Sequence, residues 1–501
     1  MKCFFLARVL TEMACRKLTR FGVRFRPLGL TLLWMLAVIS PQPRPAAASD
    51  TSAQPAKRPI RFNDLPADFR LWFEQQGLGA EGFERSISSI ERQTTERETL
   101  GEYDHLIYFL LQSASFTAEP RVEPALSAYE FVGRLTPAEK DAYLAEGAAP
   151  PPPVGRMPAS AARRLGDFIR ALGRPAEDER LAYFRTFLHK QAAPSEPLAV
   201  HLSAAYARAM RFLYRKEFLS RQFSRAEDLA AFVATLYQGR GHSTDTQIEA
   251  NYAVYTALSV VRAQAPATQL NRILIVGPGL DFAPRTDLID ASSPQSYQPF
   301  AVADALLGLK LADPARLRIH CVDINDRVID YVSRVSGGEA HLTLISGVPE
   351  TDARPLDAGY RTYFRFLGQS IGAESPPPAG QGLAGRWLKS LRVRAEVTAR
   401  LSAAKLNLIT ERYDPSPNYD LILVTNVFPY FDANELLLAL TNVEAMLAGG
   451  GYLIHNERRA IVTSLTRTLG LPAMQTRTVL IAASPTVPIY DGITIHQKKF
   501  P

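Results

Sequence analysis

From residue 272 to the C-terminus, short runs rich in β-branched and aliphatic residues alternate with runs of helical period. No other feature narrows the possible folds as much. Strand–helix–strand units pair their strands in parallel, and a parallel sheet needs helices on both faces. The run RILIVGPG (272–279) reads as a buried strand ending in a glycine turn. LRIHCVDIN (317–325) is a second strand, followed by the helix DRVIDYVSRV. YDLILVTNVF (419–428) is a third, leading into the helix DANELLLALTNVEAMLA, which stops at Gly449-Gly450-Gly451. GYLIHNE (451–457) is the next strand, with the helix AIVTSLTRTLG behind it. Two final strands, TRTVLIAAS and YDGITIHQKKF, have no helix between them and pair antiparallel. The expected class is α/β, a doubly wound, mostly parallel sheet closed by a terminal antiparallel hairpin.

The preceding part differs. LPADFRLWFEQQG, LGEYDHLIYFLLQSASF, ASAARRLGDFIRALG and AEDLAAFVATLYQ each place apolar residues at i, i+3, i+4 and i+7. A mainly α-helical domain over 61–237 follows from this pattern. EGAAPPPPVGRMP (146–158) holds four consecutive prolines and reads as an extended connector inside it. Residues 49–60 read as a Pro/Ala/Ser linker, and 1–48 as a secretory signal peptide. Seven bases precede the apolar run LGLTLLWMLAVI (28–39), and Ala46-Ala47-Ala48 forms a small-residue cleavage site. Export to the periplasm or medium is the expectation, with a cytoplasmic protein of misassigned start as the alternative. The membrane is touched only through the leader, if it stays uncleaved.

Charge bears on partners. The chain carries 57 Lys+Arg and 50 Asp+Glu, a net +7. Eight bases and one acid lie in residues 1–48, leaving 49 bases against 49 acids in the body. The excess belongs to the leader, so no nucleic-acid partner is expected. Three cysteines, two of them in the leader, exclude a disulfide scaffold and a multi-thiolate metal site. The eight histidines show no HxH or HExxH spacing, so no metal is expected.

Ligands of such sheets bind beyond the carboxyl ends of the strands. The first strand ends in Gly277-Pro278-Gly279-Leu280-Asp281, where glycine admits close backbone approach or simply makes a tight turn. The second ends at Asp323, a carboxylate placed either to accept ribose hydroxyls or, like Asn325, to cap the next helix. The third brings Asn426, Tyr430 and Phe431 to the same edge, and the fourth His455-Asn456-Glu457. A nicotinamide-binding pattern fits badly. Phe282 stands where a third glycine is needed, and Asp323 lies 44 residues after Gly279 where about 20 is usual.

Residues 271–501 resemble a class I S-adenosylmethionine-dependent methyltransferase, with a Rossmann-like sheet. ILIVGPGLD is similar to the family's glycine motif, IHCVDIN to its acidic second-strand motif, and YDLILVTNVFPYFDANELLLALTNVEAMLAGGGYLIHNE to its fourth-to-fifth-strand region. Within that superfamily the chain is most similar to the chemotaxis-receptor (CheR-like) glutamate methyltransferases, through Asn-Val, Tyr-Phe-Asp and the upstream AKLNLIT. Asn-Val-Phe-Pro-Tyr is also similar, with one residue inserted, to the Asn-Pro-Pro-Tyr motif of amino-group methyltransferases. The resemblance implies S-adenosylmethionine as cofactor. It implies backbone at Gly277 and Gly279 beside its methionine part, Asp323 on its ribose, and Asn407 near its adenine, and Asp281 after the glycine turn is a further cofactor-binding candidate. Asn426 falls near the methionine or the reacting centre. Ile275, Asp281 and Thr425 depart from the family's acidic residue, third glycine and arginine. With the leader, they keep open a non-catalytic exported binding or scaffold protein that retains the fold.

Just upstream, residues 238–270 form a connecting or lid helix. Thr244-x-x-Gln247 and Thr246-x-x-Glu249 have capping-box spacing, so a helix starts here. The lid reading lets Arg240 and His242 reach the cofactor carboxylate. Methyl transfer chiefly needs alignment and exclusion of water, plus a base if the nucleophile is protonated. His455, Glu457 and Tyr430 are the candidate bases. The basic run Arg386, Lys389, Arg392, Arg394 and Arg400 either meets an acidic substrate or forms a solvated face. The methyl acceptor and the oligomeric state are not encoded in any motif.

Overall fold

The protein is described by a computed structural model covering residues 56–145, 156–175, 178–191, 197–377, 383, 385–485 and 487–500. The signal-peptide reading, most of the 49–60 linker and most of the proline-rich connector lie outside the described residues. Among the described residues no helix is long and apolar enough to cross a membrane.

Seven strands form the central sheet: β1 (Arg272–Val276), β2 (Arg318–Asp323), β3 (Leu401–Lys405), β4 (Tyr419–Val424), β5 (Leu447–His455), β6 (Ala473–Ala482) and β7 (Ile489–Gln497). Their spatial order is β6-β7-β5-β4-β1-β2-β3. The pairs β5–β4, β4–β1, β1–β2 and β2–β3 are parallel. β7 runs antiparallel to both β5 and β6. The half 3-2-1-4-5 is that of doubly wound dinucleotide-type folds, and the returning strand inserts between β5 and β6. The α/β class, the Rossmann-like sheet and the terminal hairpin are therefore as expected.

Alternation along each strand dresses two faces. Ile273 and Ile275 of β1 and Leu421 and Leu423 of β4 enter one hydrophobic cluster. Leu274, Val276, Ile422 and Val424 enter the other. Helices α1 (Ala80–Gln112), α2 (Ile248–Gln264), α3 (Gln298–Gly308), α4 (Asp326–Val335), α5 (Ala433–Met446) and α6 (Ala460–Thr468) surround the sheet. Local chemistry sets their starts. Asn325 caps α4 through the Arg327 N–H, and Asp432 with Glu435 makes a full capping box on α5.

The N-terminal half is helical, as expected, but it is not a separately packed unit. The 33-residue α1 belongs to both cores. Phe83, Ile87 and Ile90 pack with Ile60, Leu65, Phe69 and Phe73 on one sheet face. Leu106 to Leu111 pack with the helices Pro124–Gly133, Ala159–Leu172, Glu179–Lys190 and Leu198–Glu217 in the cluster of the other face. Two features were not foreseen. Lys57–Pro59, at the end of the supposed linker, is a strand paired with Glu411–Tyr413. The stretch between β2 and β3 carries a three-stranded antiparallel sheet, with Leu388–Val393 between Ala340–Ile345 and Gly372–Ser375.

Candidate functional site

A cleft of about 960 Å3, including its open mouth, lies at the carboxyl ends of β1, β2 and β4. This is the topological switch point, where chain order reverses between β1 and β4. Gly277, Gly279, Asp323, Asn407, Asn426, Tyr430 and Phe431 all line it, as does His242. Asp281, Arg240, His455 and Glu457 are not on its wall.

At one end the glycine turn after β1 is held in left-handed conformation, φ 65° at Gly277 and 75° at Gly279. A Cβ on Gly279 would sit 2.8 Å from the Thr244 carbonyl oxygen. The close backbone approach expected there is thus made by the chain's own 242–246 segment. Leu280 N–H donates to the Thr244 carbonyl at 2.7 Å, and the Thr244 hydroxyl donates to the Leu280 carbonyl at 3.1 Å. That engagement corrects the capping expectation. α2 begins at Ile248 behind Gln247, with no side-chain cap. Glu249 is instead buried, accepting from Gly347 N–H at 2.7 Å and Tyr360 O–H at 2.8 Å.

The segment before α2 is pinned onto α1. His242 N–H donates to the Arg97 carbonyl at 2.8 Å. The Arg97 side chain donates to the carbonyls of Arg240, Tyr237 and Tyr430 at 3.0–3.1 Å. Thr244 N–H donates to His105 Nε2 at 3.1 Å, while His105 Nδ1 faces Asp245 at 3.4 Å. Arg240 does not reach the cleft. Its guanidinium is buried over the Phe212 ring, 4.2 Å to the centroid, and pairs with Asp104 at 3.2 Å. His242 does reach it. Its ring meets Tyr430 edge-on at 5.4 Å, and neither ring nitrogen has a hydrogen-bond partner among the described residues. Burial, then Arg97 and Arg240, depresses its pKa to about 3, so the ring is neutral.

The β4 end supplies an unusual backbone. Asn426 has φ 59°, a conformation costly for most residues but accessible to asparagine. Its N–H donates to Asn456 Oδ1, and Asn456 Nδ2 donates back to Asn426 Oδ1, both at 2.8 Å. Gln298 of α3 donates to the Thr425 hydroxyl at 2.7 Å, which leaves Gln298 Oε1 buried without a partner among the described residues. The Tyr430 hydroxyl accepts from Arg240 at 3.4 Å.

At the opposite end stand Asp323, Asn325, Glu98 and Thr94, with Leu406, Leu408 and Ile409 as apolar wall. Asn325, not Asp323, caps the next helix, so the Asp323 carboxylate faces the cleft. Burial raises its pKa to about 6, against the backbone N–H groups of Asn325 and Ile324. Asn407 donates to the Thr94 hydroxyl at 3.4 Å.

The remaining expected residues have structural partners. Asp281 accepts from Tyr297 O–H at 3.0 Å. Glu457 accepts from the N–H groups of Arg458 and Arg459 at 2.8 Å and pairs with the Arg459 guanidinium at 3.0 Å. His455 is sealed against His496, Nε2 to Nε2 at 2.9 Å. In the basic run, Arg386 pairs with Asp287 at 2.6 Å and buried Lys389 donates to the Leu367 carbonyl at 2.5 Å. Of the candidate bases, Glu457 and His455 are therefore occupied elsewhere, and Tyr430 is the one that lines the cleft.

The sequence reading missed Thr94, Glu98, Glu102 and His105 of α1 and Gln298 of α3. The α1 set was visible as polar residues at i, i+4, i+8 and i+11 running into an apolar helix. Gln298 carries no such signal.

No protein-family model and no curated protein matches the chain. Solved structures similar to it include the N-methyltransferase NodS from Bradyrhizobium japonicum WM9 in complex with S-adenosyl-L-homocysteine. That pair shares 14% identity over 49% of this chain and 85% of the other, with a TM-score of 0.25. A TehB-like SAM-dependent methyltransferase from Corynebacterium glutamicum aligns at 12% identity over 56% and 98%, TM-score 0.25. Magnesium protoporphyrin IX methyltransferase (ChlM) from Synechocystis PCC 6803 aligns at 10% over 57% and 100%, TM-score 0.25. The strand order itself, rather than these alignments, defines the fold class.

Proposed function

We propose that the protein is an S-adenosylmethionine-dependent methyltransferase whose cofactor lies in this cleft. The observation that carries the reading is the conjunction at one switch point of the Gly277–Gly279 turn, the uncapping Asp323 carboxylate and Asn426. The names of the similar solved structures agree with it. The donor set fits the group. Asp323 suits ribose hydroxyls, the wall of Leu406, Leu408 and Ile409 suits an adenine face, and Asn407 stands beside that wall. The partnerless polar atoms of Gln298 and His242 suit the charged amino-acid end.

The cofactor supplies a methyl group already activated on a sulfonium. The chain's own part is to bind, align and exclude water. α1 and the 242–246 segment close the cleft from above, and the Asn426–Asn456 pair fixes the β4 end. His242, with its pKa depressed to about 3, is a weak base, so a nucleophile that reacts without first losing a proton suits the site.

The finer likeness to glutamate methyltransferases meets an electrostatic objection. Glu98, Asp245 and Asp323 line the cleft and no Arg or Lys does among the described residues. A carboxylate acceptor would meet those acids with the cofactor's own sulfonium as its counter-ion, so a neutral acceptor suits the site better.

Titration calorimetry of the full chain with S-adenosylhomocysteine tests the reading. Binding at micromolar to sub-millimolar ligand is expected, and no heat at millimolar ligand would overturn it. Export is a separate part of the proposal, supported by the leader alone. A mature N-terminus near Ser49 is the expected result, and an intact Met1 in the cytosolic fraction excludes it.

A further inference from the structure

The polar residues that α1 turns toward the α/β body form one stripe at helical spacing: Thr94, Glu98, Glu102 and His105. Three of them have partners there. Thr94 accepts from Asn407, His105 accepts from Thr244 N–H, and Glu102 accepts from Asn325 at 2.9 Å and pairs with Arg327. Glu98 lines the cleft with no hydrogen bond or ion pair among the described residues.

The position of the stripe is set by backbone contact and is not adjustable. A Cβ on Gly101 would lie 1.8 Å from the His242 carbonyl oxygen. Glu98 is therefore held at the same end of the cleft as Asp323, near enough for the two carboxylates to interact. Two carboxylates facing one space repel unless a donor lies between them. A vicinal diol supplies two O–H donors at once. A separate observation also points to a ligand: Gln298, only 4% exposed, lines the same cleft and has a buried carbonyl oxygen without a partner among the described residues.

We propose that Glu98 contacts the cofactor, taking one ribose hydroxyl while Asp323 takes the other, so that the N-terminal helical half completes the cofactor site. This rests on the methyltransferase reading above. A pH dependence follows. Burial raises the Glu98 pKa to about 7, with Asp326, Glu102 and Asp323 adding to the rise and Lys405 opposing it. Those groups sit on α4, α1, the end of β2 and the end of β3. Ionised carboxylates are the better acceptors for hydroxyls. Affinity accordingly increases as pH rises through the Glu98 titration.

The test is calorimetry on the full chain with S-adenosylhomocysteine, adenosine, 2′-deoxyadenosine and 3′-deoxyadenosine. Glu98→Ala is expected to weaken S-adenosylhomocysteine about tenfold at pH 8. It should also remove the affinity difference between adenosine and one of the two deoxy analogues. Glu98→Gln should remove the part of the rise in affinity near pH 7 and leave the part near pH 6 that Asp323 supplies, whereas a purely structural role would leave both in place. If Glu98→Ala melts early, Glu98→Gln and Glu98→Asp carry the comparison. Wild-type affinity and pH profile in the variants, or an equal loss for adenosine and both deoxy analogues, overturns the inference alone. No binding of S-adenosylhomocysteine to the wild type removes the methyltransferase reading and this inference with it.

Discussion

Asn426 and Asn456 hold each other by two reciprocal hydrogen bonds of 2.8 Å, one to the Asn426 backbone and one between carboxamides. The pair fastens the end of β4 to the end of β5 and keeps Asn426 at φ 59°. Asn456→Ala should cost about 1 kcal/mol in chemical denaturation, the net worth of such bonds. It should lower methyl transfer by a larger factor than it lowers cofactor affinity. Asn426→Gly, which tolerates the backbone, should keep stability within about 0.5 kcal/mol and lose transfer. Equal effects on stability and transfer in both variants would disconnect the pair from function.

Gly101 reverses an ordinary rule. Alanine inside a helix is normally better than glycine by about 1 kcal/mol. Here the added Cβ meets the His242 carbonyl, part of a backbone pinned by Arg97. Gly101→Ala should destabilise by about 1–3 kcal/mol. It should also quicken proteolysis near residues 238–247 and weaken S-adenosylhomocysteine. A melting temperature at or above wild type would show that the two backbones separate freely.

Arg240 and Asp104 are 6% and 7% exposed, so each charge depends on the other. Asp104→Ala strands the guanidinium and should cost about 3–5 kcal/mol, whereas the double change Asp104→Leu with Arg240→Met should recover most of the loss. Urea titration of the three proteins checks this. A double variant as weak as Asp104→Ala would assign the pair a role beyond mutual neutralisation.

Two sets of buried groups pull stability in opposite directions with pH. Burial depresses His242 and His455 to about 3 and His320 to about 4, all below their usual value. Their contribution is full above about pH 6.5 and declines as pH falls toward those folded values. Asp323 and Glu98 are raised to about 6 and about 7. Their protonated forms are favoured by folding, so their contribution is full near pH 4 and lost as pH rises through those values. Glu98→Gln should therefore raise the melting temperature more at pH 8 than at pH 5. Scanning calorimetry at the two values decides, and the same gain at both would contradict the assignment.

The His455–His496 pair has one consistent proton arrangement. His496 Nδ1 donates to the Leu471 carbonyl at 2.8 Å, so its Nε2 is the bare acceptor. His455 then carries its proton on Nε2, and its Nδ1 accepts from Glu457 N–H at 3.1 Å. Nitrogen chemical shifts of labelled histidine should report an Nε2–H tautomer at His455 and an Nδ1–H tautomer at His496. Two imidazolium signals at pH 6 would refute the arrangement.

Where periodicity is strong, the sequence was readable. The parallel strands, the terminal hairpin and the strand-end residues Gly277, Gly279, Asp323 and Asn426 follow from alternation and from where strands stop. Asn407 was placed through resemblance alone. Asp281 and Glu457 at strand ends and Arg240 in the expected lid lie off the cleft wall, because position along the chain does not tell whether a side chain has a nearer partner. Asp104, Tyr297 and Arg459 are those partners, and Asp104 comes from a distant segment, 136 residues away. Thr244 and Thr246 carried a capping spacing that lost to a tertiary contact with Leu280. The antiparallel sheet between β2 and β3 escaped notice because its strands are only four to six residues long and are joined by long connections, not by the two- to five-residue turns of a hairpin.

Helix α1 anchors one end in the core beneath the sheet and the other in the core above it, with Thr94 and Glu98 poised between. A gene fragment opening at residue 238 would thus encode a sheet with both faces partly undressed and a cleft without its roof. For this chain, the smallest piece worth expressing begins before Lys57, although the motifs that announce its chemistry begin only at Arg272.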